Sequence, residues 1–406
     1  MLRLNHKYLI IVLITTVSVV TNAASPLNFS EACSNEENIR IIAVGDILLH
    51  QQLQKQAIRD QKSLRFQSLW STLIPTLQSA DIAYANLEGP TADGVLRSGK
   101  IKNDVGFVYD NKVYSEYALF NYHSHLVTDI KASGFDVVST ANNHALDRWS
   151  IGADKTIEAL RREDLLFTGT KTSLAKSAET WHTVTTVKNR NIAWLACTYS
   201  TNGMPDDAGQ VLFCFENRKY LLGLVSKLAA DPKIDAVIVT PHWGQEYQLV
   251  HNKQQTELGR QLLEAGATAV IGTHPHVVQP WEKYITRDGR EGFIIYSTGN
   301  FVSGQKLIER KTSLMLSLHL TGKPNEKMSI RGVEFAPLLM KITPEQAEVF
   351  NVTSLLKNSP QDLPEASVKI WNKNYSHSNL MFLDERLSLE NLCKNHMLEI
   401  ANNNKK

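Results

Sequence analysis

Six short apolar runs, each closing on a polar turn, constrain this chain more than any other feature of its sequence. Residues 39–44 end at Gly45-Asp46, 82–85 at Asn86-Leu87-Glu88, and 135–140 at Ala141-Asn142-Asn143-His144. Residues 234–240 end at Pro241-His242-Trp243-Gly244, 267–271 at Gly272-Thr273-His274-Pro275-His276, and 293–296 at Ser297-Thr298-Gly299-Asn300. Between several of these runs lie amphipathic stretches, such as 151–162 and 254–266. In the second, Leu258, Leu262 and Leu263 share one helical face, while Lys253, Glu257 and Arg260 face water. Strands alternating with helices of this length specify an α/β fold with helices covering a sheet. Residues 181–198 read instead as a hairpin around Lys188-Asn189-Arg190-Asn191, and 312–320 with 330–342 as two antiparallel strands near a sheet edge. Beyond about residue 350 the rhythm fades into a polar stretch, a helical segment over 384–401 and a tail of Asn and Lys.

The ends of the chain bear on where it works. Arg3, His6 and Lys7 precede an apolar run over 8–20, and Thr21-Asn22-Ala23-Ala24 supplies small residues suited to cleavage. That pattern reads as a secretory signal peptide over 1–24, because a retained anchor needs about 20 apolar residues. No cysteine directly follows the run, so a lipoprotein anchor is not indicated. The expected product is a periplasmic, cell-surface or secreted protein with one large domain over 39–342 and a partly helical C-terminal extension over 343–406. A net charge of +2, with both signs interspersed, lacks the clustered basic stripe of a nucleic-acid binder. Four cysteines suit disulfides in an exported chain, and Cys197 with Cys214, flanking a loop over 199–210, is the preferred pair. No CxxC or Cys/His pairing points to structural zinc.

The chemistry is carried by where the polar residues fall. Ligands of open α/β sheets bind beyond the carboxyl ends of the strands. Five of the six runs deliver metal-ligand types to that edge: Asp46, Glu88, Asn143 with His144, His242, and His274 with His276. Oxygen and imidazole donors without a thiolate suit Mn, Fe, Zn or Mg. A carboxylate bridging two cations, completed by His and Asn, builds a site for in-line displacement. Each residue alone also has an ordinary reading. Asp46 is equally suited to capping a following helix, Glu88 to a solvated turn, and Asn142, Asn143 and His144 to a turn with left-handed backbone. The spacing of His274 and His276 puts both rings on one side of an extended segment. Glu246 is either a contact to ligands or substrate or a solvated loop charge. Asn300 is placed to bond a metal ligand or substrate. Trp243 and Trp281 read as core by default, and His123 and His125 as surface residues. No Gly-x-Ser-x-Gly elbow supports a serine hydrolase.

Taken in order, Val44-Gly45-Asp46, Ala85-Asn86-Leu87-Glu88-Gly89, Thr140-Ala141-Asn142-Asn143-His144-Ala145-Leu146-Asp147 and Pro241-His242-Trp243-Gly244-Gln245-Glu246-Tyr247 resemble the signatures of the CapA family of poly-γ-glutamate capsule synthesis. So do residues 272–280 and Tyr296-Ser297-Thr298-Gly299-Asn300-Phe301. The resemblance runs from about residue 40 to 301 and more weakly to 342. It implies a metallophosphoesterase-like α/β fold, a β-sandwich flanked by helices in four layers, α/β/β/α. It also implies two divalent metal ions (Mn, Fe or Zn), with Asp46 and His276 on the first, Asn143, His242 and His274 on the second, and Glu88 bridging. His144 would protonate a leaving group or steady the transition state, with Asp147 orienting it. Glu246 and Asn300 would meet substrate. Metallophosphoesterases begin with Asp-x-His, where this chain has Asp46-Ile47-Leu48 and a later His50; their second motif is Gly-Asp, where it has Asn86-Leu87-Glu88. The CapA family itself reads this way at both places. The implied activity is metal-dependent hydrolysis or transfer at a phosphoester or amide of an acidic polymer, beside a membrane synthase or export complex. The alternative is a non-catalytic polymer-binding or accessory subunit.

Overall fold

The computed structural model describes residues 27–60, 62–175, 179–352, 354 and 393. The expected signal peptide, the helical segment over 384–401 and most of the C-terminal extension lie outside the described residues. Fourteen strands form in chain order among those described: β1 (Asn38–Leu48), β2 (Ile82–Leu87), β3 (Val137–Ser139), β4 (Leu166–Thr168), β5 (His182–Val187), β6 (Arg190–Thr198) and β7 (Ala236–His242), then β8 (Ala269–Ile271), β9 (Val278–Ile285), β10 (Glu291–Thr298), β11 (Asn300–Ser303), β12 (Thr312–Thr321), β13 (Ser329–Ile342) and β14 (Ala347–Asn351). The helices are α1 (Gln51–Arg59), α2 (Ile74–Gln78), α3 (His125–Ala132), α4 (Trp149–Arg162), α5 (Arg218–Ala230), α6 (Lys253–Glu264) and α7 (Ile308–Lys311).

Two sheets result. The first has the order β14-β13-β12-β1-β2-β3-β4, with β11 also pairing β1; the second runs β5-β6-β7-β8-β10-β9. Strands β1 to β4 are parallel to one another, as are β6, β7, β8 and β10. Alternation along β1 explains the layering. Ile42 and Val44 point outward to Leu53, Leu77 and Val127 of the first helical layer, while Ile41 and Ala43 point inward to Trp194, Ile238 and Ile271 of the other sheet. A third cluster joins the far side of the second sheet to Leu221 and Val225 of α5 and Leu258 and Leu262 of α6. This is the four-layer α/β/β/α sandwich that the resemblance implies. Between the sheets, the rings of Tyr84 and Trp194 stack with centroids 5.3 Å apart.

The hairpin over β5 and β6 forms as expected, its turn residues Lys188 and Asn189 having φ of 50° and 57°. Strands β12 and β13 pair antiparallel as expected, but the sheet edge is the short strand β14, which lies beyond the two strands read from the sequence. Cys197 bonds Cys214, as the spacing suggested, and Cys33 bonds Cys393. Trp243 and Trp281 are core residues.

One local device positions the site. Strand β1 pairs β12 up to Ala43 and β11 from Asp46 onward. Strand β10 belongs to the second sheet and β11 to the first, with only Gly299 (φ 75°) between them. Gly45 lies against that crossing, and the Asp46 N–H donates to the Gly299 carbonyl at 3.2 Å. A Cβ on Gly45 would sit 1.7 Å from the Gly299 oxygen, so only glycine admits this contact. Gly45→Ala is therefore expected to destabilise the protein by about 3 kcal/mol or more, the upper end for inserting an atom into packed backbone. Urea unfolding of the wild type and variant measures it, and a loss below about 1 kcal/mol would contradict so close a contact.

Candidate metal centre

Asp46 and Glu88 set the character of this region. Both are fully buried. Asp46 lies within β1 and caps no helix, so its ordinary reading fails. Glu88 follows β2 directly and is not a solvated turn carboxylate. Neither oxygen of Glu88 has a hydrogen-bond partner. Burial, and then the negative charge of Asp46, holds its carboxyl well above the usual range. Among the described residues no Lys or Arg forms an ion pair with either carboxylate; the basic groups that approach them are imidazoles.

The imidazoles converge from the opposite sheet. His242 ends β7, its Nδ1 3.9 Å from Asp46 Oδ1 and its Nε2 3.7 Å from Glu88 Oε1. Its Nε2 also lies 2.8 Å from Asn143 Oδ1, and its Nδ1 3.0 Å from Thr273 Oγ1. His276 reaches both carboxylates as well, at 3.2 Å to Asp46 Oδ2 and 3.7 Å to Glu88 Oε1. His274 lies with its ring centroid 4.8 Å from His242 and 5.8 Å from His276. Its Nδ1 is buried without a partner. The pair does not lie on an extended segment, as its spacing suggested. His274 and His276 have φ of 99° and 57°, and two left-handed kinks around Pro275 bring the rings together. Residues Asn142, Asn143 and His144, by contrast, are not left-handed. Burial, then the neighbouring imidazoles, pushes His242 and His274 well below the ordinary histidine value, which favours the neutral, ligating form.

These features fit a divalent cation. Two buried carboxylates without a basic partner are costly, and an ion supplies the missing charge. Orphaned donor atoms on Glu88 and His274, with oxygen and imidazole donors throughout, give the ligand chemistry of Mn, Fe or Zn. Ligand atoms of Asp46, Glu88 and His242 lie within 4.8 Å of one another, and so do those of Glu246, His274 and His276. This grouping puts His274 with His276, whereas the resemblance puts it with His242 and Asn143.

The remaining predicted residues fall around this centre. His144 and Asp147 are joined at 2.7 Å between Nδ1 and Oδ2, and the same carboxylate oxygen accepts the Phe120 N–H at 2.6 Å. Burial raises the Asp147 carboxyl. Asn300 Oδ1 lies 3.0 Å from His276 Nδ1, so it contacts a candidate ligand. Glu246 is exposed, yet turned toward His274 and His276. Asn86 and Asn142, given no part in the centre by the sequence reading, also belong to it. Asn86 Nδ2 donates to Asp46 Oδ1 at 2.7 Å, and Asn142 Nδ2 approaches Asn86 Oδ1 at 3.3 Å. Asn86 shares the strand face of Glu88 two residues on, a period-two signal that would have found it. Tyr199 also went unread; its ring packs 4.4 Å from His274, and burial, then Glu246, raises its phenol to about 12. His50, two residues late for the usual motif, packs edge-on to Phe120 and accepts the Gly304 N–H. His123 and His125 are half-buried, stacked on each other and edge-on to Phe107, rather than surface residues.

Fold and donor set together define a metallophosphoesterase-like α/β protein with a carboxylate–imidazole centre suited to divalent metal. Residues 40–305 match the family described as bacterial capsule synthesis protein PGA_cap, and the chain belongs to that family. It is 28% identical over 340 residues to capsule biosynthesis protein CapA of Bacillus anthracis, covering 78% of this chain and 73% of that one. It is likewise 28% identical over 305 residues to PGA biosynthesis protein CapA of Bacillus subtilis strain 168, covering 72% and 70%. Among solved structures, a phosphatase from Mycoplasma pneumoniae aligns with TM-score 0.43 and 14% identity, over 81% of this chain and all of that one. The NAD nucleotidase of Haemophilus influenzae aligns with TM-score 0.44 and 10% identity, over 89% and 60%. Both scores lie below one half and carry nothing about activity.

If Glu88 is ionised only when a cation faces it, divalent metal will stabilise the folded chain. Saturating Mn²⁺ or Zn²⁺ at about a hundred times Kd is expected to add about 2.7 kcal/mol, and Glu88→Gln to remove that gain. Thermal unfolding with metal and with chelator measures it; equal shifts in both proteins would exclude Glu88 from the centre.

Proposed function

We propose that this chain is an exported, metal-dependent hydrolase or transferase of capsule-type polymer synthesis, acting on poly-γ-glutamate or a related acidic polymer. Family membership supports the pathway, and the names of its relatives support the polymer. The observation that carries the enzymatic reading is the fully buried Glu88 carboxylate, unpartnered and ringed by Asp46, Asn143, His242, His274 and His276. A protein that only bound polymer would have no use for this costly arrangement. Two disulfides support export, since such bonds persist in oxidising compartments. Among the described residues no helix is long and apolar enough to cross a membrane.

Lewis acidity and charge neutralisation are what divalent metal supplies when bound there. Asp46, Glu88, Asn143, His242, His274 and His276 are the residues that would hold it. The chain's own contribution to proton transfer is His144. Its Nδ1–H donates to Asp147 Oδ2, which fixes the ring and leaves Nε2 as the atom that gives or takes a proton. Phe120 packs edge-on against the ring at 4.8 Å and excludes water from that side. Asp147 is itself held by the Phe120 N–H, so the orientation does not depend on substrate.

The test pairs metal content with turnover. Wild-type protein is expected to retain or take up Mn, Fe or Zn, and His274→Ala/His276→Ala to lose it, by elemental analysis. His144→Ala is expected to keep its metal and lose about 10²- to 10⁴-fold in kcat on γ-glutamyl amides or phosphoesters, the range for a positioned acid–base group. Metal uptake with no turnover of either substrate class, alongside undiminished polymer binding, would make the accessory subunit the better reading.

A further inference from the structure

Beside the centre lies a cation that the chemistry above does not use. Arg310 lies in the short helix α7, one residue before its end, and its carbonyl accepts a hydrogen bond from Asn300 Nδ2 at 2.9 Å. The same Asn300 faces His276 Nδ1 through its oxygen, so the Arg310 backbone is fixed two contacts from a candidate ligand. The guanidinium lies 3.3 Å above the centroid of the Tyr247 ring. Tyr247 in turn is held by its N–H to the Pro275 carbonyl at 2.7 Å, with its ring 6.0 Å from that of His276. Its backbone is left-handed, φ 66°, which turns the ring back over the loop that carries His274 and His276.

The guanidinium is half-buried and makes no hydrogen bond or ion pair among the described residues. It is held flat by a ring face, with its N–H edge unspent. That geometry is pre-organised for in-plane, two-pronged recognition of an oxyanion, because a stacked guanidinium loses little freedom when it binds. Nearby Glu246 forms no ion pair with it among the described residues, and its carboxylate is grouped instead with His274 and His276. Lys306, Arg310 and Lys311 outnumber Glu309 on this connection, so it carries net positive charge beside an acidic centre.

We propose that Arg310, stacked on Tyr247, is a specificity-determining residue that binds an oxyanion of the substrate next to the reacting bond. This rests on the proposed polymer reading, under which the oxyanion is the free α-carboxylate of a γ-linked glutamate unit. A phosphate oxyanion is the other source of the same chemistry.

The experiment is binding rather than turnover. Full-length, metal-loaded wild type and Arg310→Met, which keeps the apolar stem and removes the charge, are titrated calorimetrically. The probes are a γ-linked glutamate oligomer, the same oligomer with its α-carboxylates amidated, and inorganic phosphate. Circular dichroism and metal content check that the variant is folded and loaded. Wild type is expected to bind the free oligomer roughly ten- to a hundredfold more tightly than Arg310→Met does, as for losing a charged hydrogen bond. The amidated oligomer should bind both proteins alike. Arg310→Lys should recover only part of the loss, since ammonium lacks the fork. Undiminished oligomer binding by Arg310→Met overturns the role of Arg310 and leaves the polymer reading standing. Phosphate binding that depends on Arg310, with no oligomer binding, keeps the residue's role and sinks the polymer reading. Binding of no probe by wild type overturns both.

Discussion

Everything around the centre follows from two carboxylates being buried where, among the described residues, no Lys or Arg pairs with them. Asp46 and Glu88 stand at the ends of adjacent parallel strands, in register so that Asp46 pairs Asn86. Both carboxylates are buried, and burial with the neighbouring imidazoles pushes His242 and His274 toward the neutral form. Such a cluster is unfavourable until a cation enters, so the fold must supply rigidity from elsewhere to hold it open to metal. That rigidity is the sandwich. Its middle layer locks the two sheets face to face through Tyr84 and Trp194, with branched side chains on both sides.

The two sheets supply different chemistry because they end at one edge. The first contributes Asp46, Glu88 and Asn143 from β1, β2 and the turn after β3. The second contributes His242 from β7, and His274 with His276 after β8. Oxygen donors come from one sheet and nitrogen donors from the other, so the centre assembles only when the sheets are packed in register. Gly299 enforces this, since the chain steps from one sheet to the other there while its carbonyl binds the Asp46 N–H. The left-handed backbone of His274 and His276 is strain tolerated at the same seam, as is usual where geometry serves a site.

The sequence made much of this readable, for identifiable reasons. Apolar runs of period two announce strands, and polar residues at their ends announce the ligand edge, so Asp46, Glu88, Asn143, His242, His274 and His276 could be named from pattern. That they share one centre was not readable from periodicity, which is local; the joint ligand set came with the family resemblance, and the order of the strands only with the structure. The short strands β4, β11 and β14 escaped notice because three to five residues carry too little pattern. The kinks at His274 and His276 escaped because spacing implies an extended segment unless glycine signals otherwise. Asn86 and Asn142 were hidden in plain view, since an amide that orients a carboxylate looks like any turn residue until its partner is known. His123 and His125 read as surface residues because their stretch is polar, yet it folds over Phe107 and Tyr114.

What distinguishes one member of such a fold from another therefore lies outside the ligand set. A carboxylate–imidazole centre offers the same chemistry to any oxygen-rich bond, and its donors cannot discriminate among acidic substrates. Discrimination has to come from groups that reach past the reacting atoms. Here those groups sit on two connections, the loop after β7 with Glu246 and Tyr247, and the one between β11 and β12 with Arg310. Both connections are tied to His276, one through the loop after β8 and the other through Asn300. A substrate anion held on the rim is thereby registered against the centre by contacts of fixed length. Binding energy gained at Arg310 can then be spent on position at the reacting bond, which is how remote contacts raise a rate rather than only an affinity.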